Sequence, residues 1–243
     1  NKEQRGYITP QEFNLFADHA QMEIFEQYFY DLDQFQRVPG NDITYSDRVT
    51  SVENKISHFK RYDQNMSSIA NTNGDVFIED NPGQGGERVY KLITVRLRNK
   101  AGQPIYVAEE TQVGEEFFLY DSSPLAKQNE KRPIYWKRTD TGQGISIRIY
   151  PKPQISDPYD SSVDGTVLVT YIKKPLKPNW AYVVVNNKPL YNATSAVDFE
   201  LHASEETELV YRILALAGVA IEKPQLTQAA VGLGASQIQQ EKQ

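Results

Sequence analysis

The hydrophobic period of this chain changes twice, from helical to two-residue and back, and this restricts the fold more than any other feature. The first helical stretch is sharply opened. Thr9 is placed to cap, Pro10 suits the first helical position, and Glu12 completes a capping box by reaching back to Thr9. Ile8 and Phe13 stand where a hydrophobic staple would. The pattern runs to about Gln36, ahead of the breaker Val38-Pro39-Gly40-Asn41. At about 100° per residue, Phe13, Phe16, Ala17, Ala20, Ile24, Tyr28 and Phe35 share one side. Leu15, Met22, Phe25, Phe29 and Leu32 are assigned to roughly the opposite side. A helix at the edge of a monomer needs a single apolar stripe. Two stripes mean either a helix sandwiched within its own domain or one whose second stripe packs on another subunit.

A second helix is expected from Ser46, with Val49, Val52, Ile56 and Phe59 as its stripe, fraying through the polar stretch from Asn65 to Gly74. From Val76 the period is two. Strands are expected over Val76–Glu79, Tyr90–Arg98, Pro104–Glu109, Glu116–Tyr120, Ile134–Arg138, Gly144–Tyr150, Thr166–Ile172 and Tyr182–Val185. Their short lengths and Gly/Pro/Asn/Asp punctuation predict an antiparallel sheet or sandwich, not a βαβ core. Helix returns after Ser204, a candidate cap before Glu205, Glu206 and Glu208, acids that suit the positive end of a helix dipole. A weaker helix with a polar, frayed tail is expected after Pro224. The resulting fold class is α+β, in three stretches: an N-terminal helical part (1–73), an antiparallel β domain (74–198), and C-terminal helices (199–243) packing with the first part.

Composition bounds the function. A net charge of −6, from 26 basic and 32 acidic residues, lacks the basic excess by which nucleic-acid binders release phosphate counterions. The absence of cysteine excludes disulfides, Cys-ligated zinc and thiol catalysis. With 39% apolar residues the chain can bury a core, and 15 Tyr and 10 Phe lean mildly toward contact surfaces. The longest apolar run, Val210 to Ile221, is interrupted by Arg212 and is too short to cross a bilayer. No basic-then-apolar signal segment is recognised, so the chain reads as intracellular and soluble. Without secretion, Asn65-Met66-Ser67 and Asn192-Ala193-Thr194 have no meaning as glycosylation sites.

Chemistry is sparse. His19, His58 and His202 have no partner at ligand spacing, so no metal, cofactor or catalytic site is assigned to them. The stretch Asp157 to Gly165 resembles a calcium loop but lacks the ligand alternation and the closing Glu, and reads as an acidic turn between strands. Gly83-Gln84-Gly85-Gly86 lacks the Lys-Ser/Thr ending of a phosphate loop. The pairs Glu109-Glu110 and Glu115-Glu116 are neighbours in sequence, whereas glycosidase carboxyls converge across a cleft. The clusters Lys131-Arg132, Lys137-Arg138 and Lys173-Lys174 are modest and read as solvated strand faces. The expectation is a protein that is not an enzyme.

Two short signatures bear on a family. The opening Gly6-Tyr7-Ile8-Thr9-Pro10-Gln11-Glu12-Phe13-Asn14-Leu15-Phe16-Ala17 resembles the start of structural proteins of crAss-like and related short-tailed bacteriophages. Ile147-Arg148-Ile149-Tyr150-Pro151-Lys152-Pro153, followed by Val169-Thr170-Tyr171-Ile172-Lys173-Lys174-Pro175, resembles head-to-tail adaptors of the tail tubular protein A kind. The closing Asp198-Phe199-Glu200-Leu201-His202 and the helix from Glu208 to Ile221 fit the same plan. The resemblance implies a virion neck protein: a homo-oligomeric ring, twelve subunits in such families, seated on the portal protein or another neck ring. DNA would pass through without specific binding, and no membrane is involved. A ring subunit needs two different side surfaces, because heterologous contacts repeat around a closed rotation. The candidate subunit contacts are Leu15, Met22, Phe25, Phe29 and Leu32 on the first helix, and Val210, Leu214 and Ile221 near the end. The competing expectation is a β-sandwich that binds carbohydrate or a host surface, with Trp136 and Trp180 as exposed stacking platforms; on the structural reading both tryptophans sit at strand ends, largely buried. A third is a virion-attached lysin or glycosidase.

Overall fold

The computed structural model describes residues 8–37, 43–65, 75–77, 88–98, 104–112, 115–140, 144–151, 155–157, 160–164, 166–186, 188–221 and 223–241. The fold is α+β. The chain forms two units, and their boundaries differ from the three-part division expected above. A helical unit comprises residues 1–58 and 175–243, and a sheet unit comprises 59–174. The polar stretch after residue 65 is therefore not the boundary. The chain crosses between units at His58/Phe59 and again at Lys174/Pro175.

In the helical unit, α1 (Pro10–Arg37) is capped as its sequence requires. The Thr9 N–H donates to Glu12 Oε2 at 2.9 Å, and the Glu12 N–H donates back to Thr9 Oγ1 at 3.3 Å. Helix α2 (Ile43–Ser57) begins three residues before the expected Ser46, and its last turn carries Lys55. After Pro175 come a short hairpin and a 3₁₀ turn, Ala203–Glu205. The turn is capped by His202, whose Nδ1 accepts from the Ser204 N–H at 3.3 Å, so Ser204 lies inside it and is not the cap. Helix α3 (Glu115–Ser122) belongs to the sheet unit, and α4 (Glu206–Ala220) and α5 (Pro224–Glu241) form a helical hairpin. The regular helix of α5 extends through most of the tail expected to fray.

The α4–α5 crossing depends on Gly218. A Cβ built there would lie 2.6 Å from Thr227 Oγ1 and 3.0 Å from Thr227 N. The hydroxyl can rotate away, but the backbone nitrogen cannot without moving α5. Alanine normally gains about 1 kcal/mol over glycine inside a helix, yet overpacking costs about 1–3 kcal/mol. Gly218→Ala is therefore expected to lower the melting temperature in thermal unfolding followed by circular dichroism, whereas Gly232→Ala on α5, whose Cβ meets nothing within 4 Å, should raise it slightly.

The sheet unit is built on seven strands in the order β1-β9-β3-β4-β5-β6-β2. They are β1 (Lys60–Asn65), β2 (Asp75–Phe77), β3 (Val89–Arg98), β4 (Tyr106–Glu110), β5 (Ile134–Asp140), β6 (Gly144–Tyr150) and β9 (Thr166–Lys173). A separate hairpin joins β7 (Ile155–Asp157) and β8 (Asp160–Asp164); the acidic stretch from Asp157 to Gly165, expected as a turn between strands, therefore contains β8 itself. Val76, Val95, Leu97, Ile147, Ile149, Val167 and Val169 fill the core on one face of the large sheet. The expectation of an antiparallel sheet needs one correction. Strands β4 and β5 pair in parallel, Glu109 opposite Ile134 and Glu110 opposite Tyr135. Parallel neighbours need a crossover, and it contains α3 (Glu115–Ser122), which occupies the stretch expected as a strand over Glu116–Tyr120. Two glutamates opening the segment favour a helix N-terminus, and the run Glu-Glu-Phe-Phe-Leu-Tyr does not alternate strictly.

Tyr135 lies in this core, and its hydroxyl donates to Glu110 Oε2 at 3.1 Å. Burial, reinforced by the charge and the hydrogen bond of Glu110, pushes its pKa well above the ordinary tyrosine value. The raised folded pKa means that its contribution to stability is complete below about pH 10, the unfolded tyrosine value, and is lost as pH rises further. Urea midpoints of the native protein should thus fall above pH 10, and Tyr135→Phe should flatten that fall while losing about 1 kcal/mol at neutral pH.

Candidate assembly surfaces

Among its described residues the helical unit leaves several apolar side chains uncovered. On α1 the buried arc is Ala17, Ala20, Gln21, Ile24, Phe25 and Tyr28. Measured at about 100° per residue from Ala17, Phe25 lies near 80°, Phe29 near 120°, Met22 near 140° and Leu15 near 160°. The second stripe is therefore contiguous with the first rather than opposite to it. Its near edge enters the core and its far edge reaches solvent. Phe25 is fully buried and packs edge-on against Phe29, with ring centroids 5.1 Å apart. As a core residue it is not a subunit contact, which corrects that expectation. Met22, Phe29 and Leu32 are half-buried, and Leu15 alone of the five is exposed, at 65%.

Near the other end, Val210 and Leu214 are exposed on α4 and Ile221 is half-buried just beyond it. Glu206, Val210 and Leu214 recur every four residues and so share one stripe. Val219 on α4 and Val231 and Leu233 on α5 are exposed as well.

A further run of exposed apolar residues lies where no contact was expected. Strands β10 (Tyr182–Val185) and β11 (Lys188–Tyr191) form a two-stranded hairpin, with Asn186 in the left-handed region at φ 50° at its tip. Val183, Val184, Val185, Leu190 and Tyr191 are all exposed. A hairpin of this size is marginal in water by itself; here its base is anchored. The Trp180 N–H donates to Asn14 Oδ1 at 2.8 Å, and Asn14 Nδ2 donates to Asn179 Oδ1 at 2.9 Å. Trp180 stacks on Tyr182 and Tyr191 at centroid distances of 5.9 and 6.2 Å. The hairpin thus rises beside the residue that precedes Leu15. Its β11 half escaped notice in the sequence because Pro189 breaks the strand pattern; Pro189 pairs with Val184 at an open edge, where proline is tolerated.

Polar residues fix the frame behind these surfaces. Gln21 is completely buried: its Nε2 donates to the Leu176 carbonyl at 2.7 Å, and its Oε1 accepts from the Glu200 N–H at 3.1 Å. Lys55 of α2 forms an ion pair with Glu205, which is 2% exposed, and its ammonium lies 5.8 Å from the Tyr28 ring centre. Arg212 Nε donates to Glu208 at 2.8 Å and its Nη1 to Glu23 at 3.1 Å. Beside this network is a cavity of about 110 Å³ lined by Tyr28, Asp31, Lys55, Glu205 and Glu208 among others. Sites for drug-sized ligands occupy roughly 300–1,000 Å³, more than this cavity offers.

The three histidines are dispersed. His19 is exposed on α1 with Nε2 3.3 Å from Glu23, His58 is exposed, and His202 caps the 3₁₀ turn. Of the two tryptophans, Trp180 is half-buried. Trp136 lies within β5, not at a strand end, is 8% exposed, and packs on Tyr150 at 5.0 Å, so it offers no open platform. Gly83 to Gly86 lie outside the described residues. No protein-family model matches the chain. No curated protein matches it either.

Proposed function

We propose that the chain is a ring-forming structural subunit, non-catalytic, acting as a head-to-tail connector in the neck of a short-tailed phage virion. One observation carries the assembly reading: the helical unit exposes apolar side chains on separate elements, among them the β10–β11 hairpin and the Val210–Leu214 stripe of α4. Two separate patches on one body are what a heterologous, closing contact requires, and exposed patches of this kind mark interaction sites in soluble proteins. The placement in a phage neck comes from the resemblance of the two segments, Gly6 to Ala17 and Ile147 to Pro175, to such adaptors. The ring would number about a dozen copies by that resemblance and would join the portal protein to the tail around the path of the DNA.

Native mass spectrometry or light scattering, with and without a portal ring, tests the reading. The expected result is a ring-sized assembly, or a monomer that joins the portal in fixed high stoichiometry. A strict monomer that ignores the portal would overturn it.

A further inference from the structure

In sequence, Lys60, Arg88, Lys91, Arg96, Arg98 and Lys174 are scattered over more than a hundred residues of an acidic chain. The topology of the sheet unit gathers them. Along β9, Val167, Val169 and Tyr171 belong to the core, so Thr166, Leu168, Thr170 and Ile172 stand on the other face. Register then places β3 and β1 residues on that same face: Arg98 opposite Thr166, Arg96 opposite Leu168, Thr94 opposite Thr170, and both Lys91 and Lys60 opposite Ile172. Lys174 follows two residues beyond Ile172, and its N–H donates to the Arg88 carbonyl at 2.6 Å. Over residues 60–65, 88–98 and 166–174 the single acid is Asp63, against these six cations together with Arg61 and Lys173.

Pairing is uneven across the molecule. Arg96 is held by Asp63 in an ion pair, and Arg98 donates to Thr166 Oγ1 at 2.7 Å. Lys55, Arg132, Lys137 and Arg212 elsewhere each have a carboxylate. Among the described residues no carboxylate pairs with Lys60, Arg88, Lys91 or Lys174, although like charges gathered on one face repel. Threonine hydroxyls at 94, 166 and 170 are interspersed with the cations. From the Thr166 row to the Ile172 row the face runs about 20 Å, with Lys60 and Lys91 roughly 10 Å apart across it.

We propose that this face binds the phosphate backbone of nucleic acid without reading its bases. Phosphate oxygens accept from both ammonium and hydroxyl donors, and interfaces with nucleic acid are more polar and more cationic than those between proteins. Lysine is instead depleted at protein–protein interfaces. A length of about 20 Å matches roughly six steps along one strand of B-DNA at 3.4 Å each. The proposal goes beyond the ring reading and does not require it.

Fluorescence anisotropy of the full chain with a labelled DNA duplex of arbitrary sequence, over a range of salt, tests it. Four phosphates neutralised by the four cations that lack a carboxylate predict a slope of log affinity against log salt of about −3.6. A Lys91→Glu/Lys174→Glu variant, shown folded by its circular dichroism, should bind at least about tenfold more weakly at 0.1 M salt. Asp63→Asn should do the reverse. Asp63 lies in β1, where the pairing with β9 is irregular, and occupies the left-handed region at φ 49°, which asparagine tolerates, so the change releases Arg96 without straining the backbone. Affinity should rise about fivefold and the slope steepen by about 0.9, a gain that loss of folding cannot mimic. Absence of binding at low salt, or affinity unmoved by both variants, overturns the proposal. So does polyglutamate competing as strongly as DNA, an outcome that would assign the face to an acidic protein partner.

Discussion

Glu205→Ala should lower the unfolding free energy of the helical unit by about 3 kcal/mol, at the low end of what breaking a buried ion pair costs. The low end applies because Lys55, with its side chain 18% exposed, retains some access to water once its partner is gone. The effect is not that of the lost attraction alone. Glu205 joins α2 to the entry of α4 through Lys55 and also accepts from Ser204 Oγ at 3.1 Å, so its removal leaves a half-buried ammonium above the Tyr28 ring with no carboxylate from Glu205. Urea unfolding followed by far-UV circular dichroism measures this as a lowered midpoint with an unchanged slope. A double variant, Lys55→Met with Glu205→Leu, should regain most of the loss, because apolar replacement of a whole buried pair is close to neutral or better. If the double variant is as unstable as Glu205→Ala, the ion pair is not what the single change breaks.

The second large effect concerns the proposed assembly. In that reading Val184→Ser with Leu190→Ser on the hairpin, or Val210→Ser with Leu214→Ser on α4, should each abolish a ring-sized species while leaving the melting temperature of the monomer nearly unchanged. All four side chains are exposed, Val184 at 60% and Leu214 at 38%, so each pair of changes removes little that the monomer buries. Phe25→Ala provides the contrast. It vacates a fully buried aromatic position and should cost about 3–5 kcal/mol, so any loss of assembly it produces would come through unfolding. Native mass and thermal unfolding measured together separate the two cases. Should both serine pairs leave a ring intact, the subunit contacts lie elsewhere and the two-surface basis of the proposed function is lost.

The terminal helices were legible because capping chemistry and a 3.6-residue period are local. Thr9, Glu12 and the arc from Ala17 to Tyr28 need no knowledge of distant chain. Most strands of the large sheet were legible for the same reason. Strand β1 was not, because Lys-Arg-Tyr-Asp-Gln-Asn has no alternating apolar set; it is an edge strand defined by its pairing to β9. The burial of Gln21 was equally hidden, since its partners Leu176 and Glu200 lie 155 and 179 residues away. The burial of Phe25 is hidden because it stands at the edge of the buried arc, some 80° round from Ala17, where an aromatic ring can still turn inward. The cationic face was invisible for a different reason. Each of its charges looked like an ordinary solvated residue until β1, β9 and β3 were set side by side.

The discontinuity of the helical unit has a consequence for synthesis. The sheet unit leaves and rejoins it at neighbouring points, since the Lys173 N–H donates to the Phe59 carbonyl at 2.9 Å. A ribosome therefore releases α1 and α2 long before α4, while every strand from β1 to β9 emerges in between. Domains fold as units during translation, so the middle of the chain can mature first, with the amphipathic α1 waiting beside α2 for the α4 residues still to be made. The same layout makes the insert a natural cassette: its two ends are already bonded to each other, so a short linker between His58 and Pro175 should let the helical half be produced by itself.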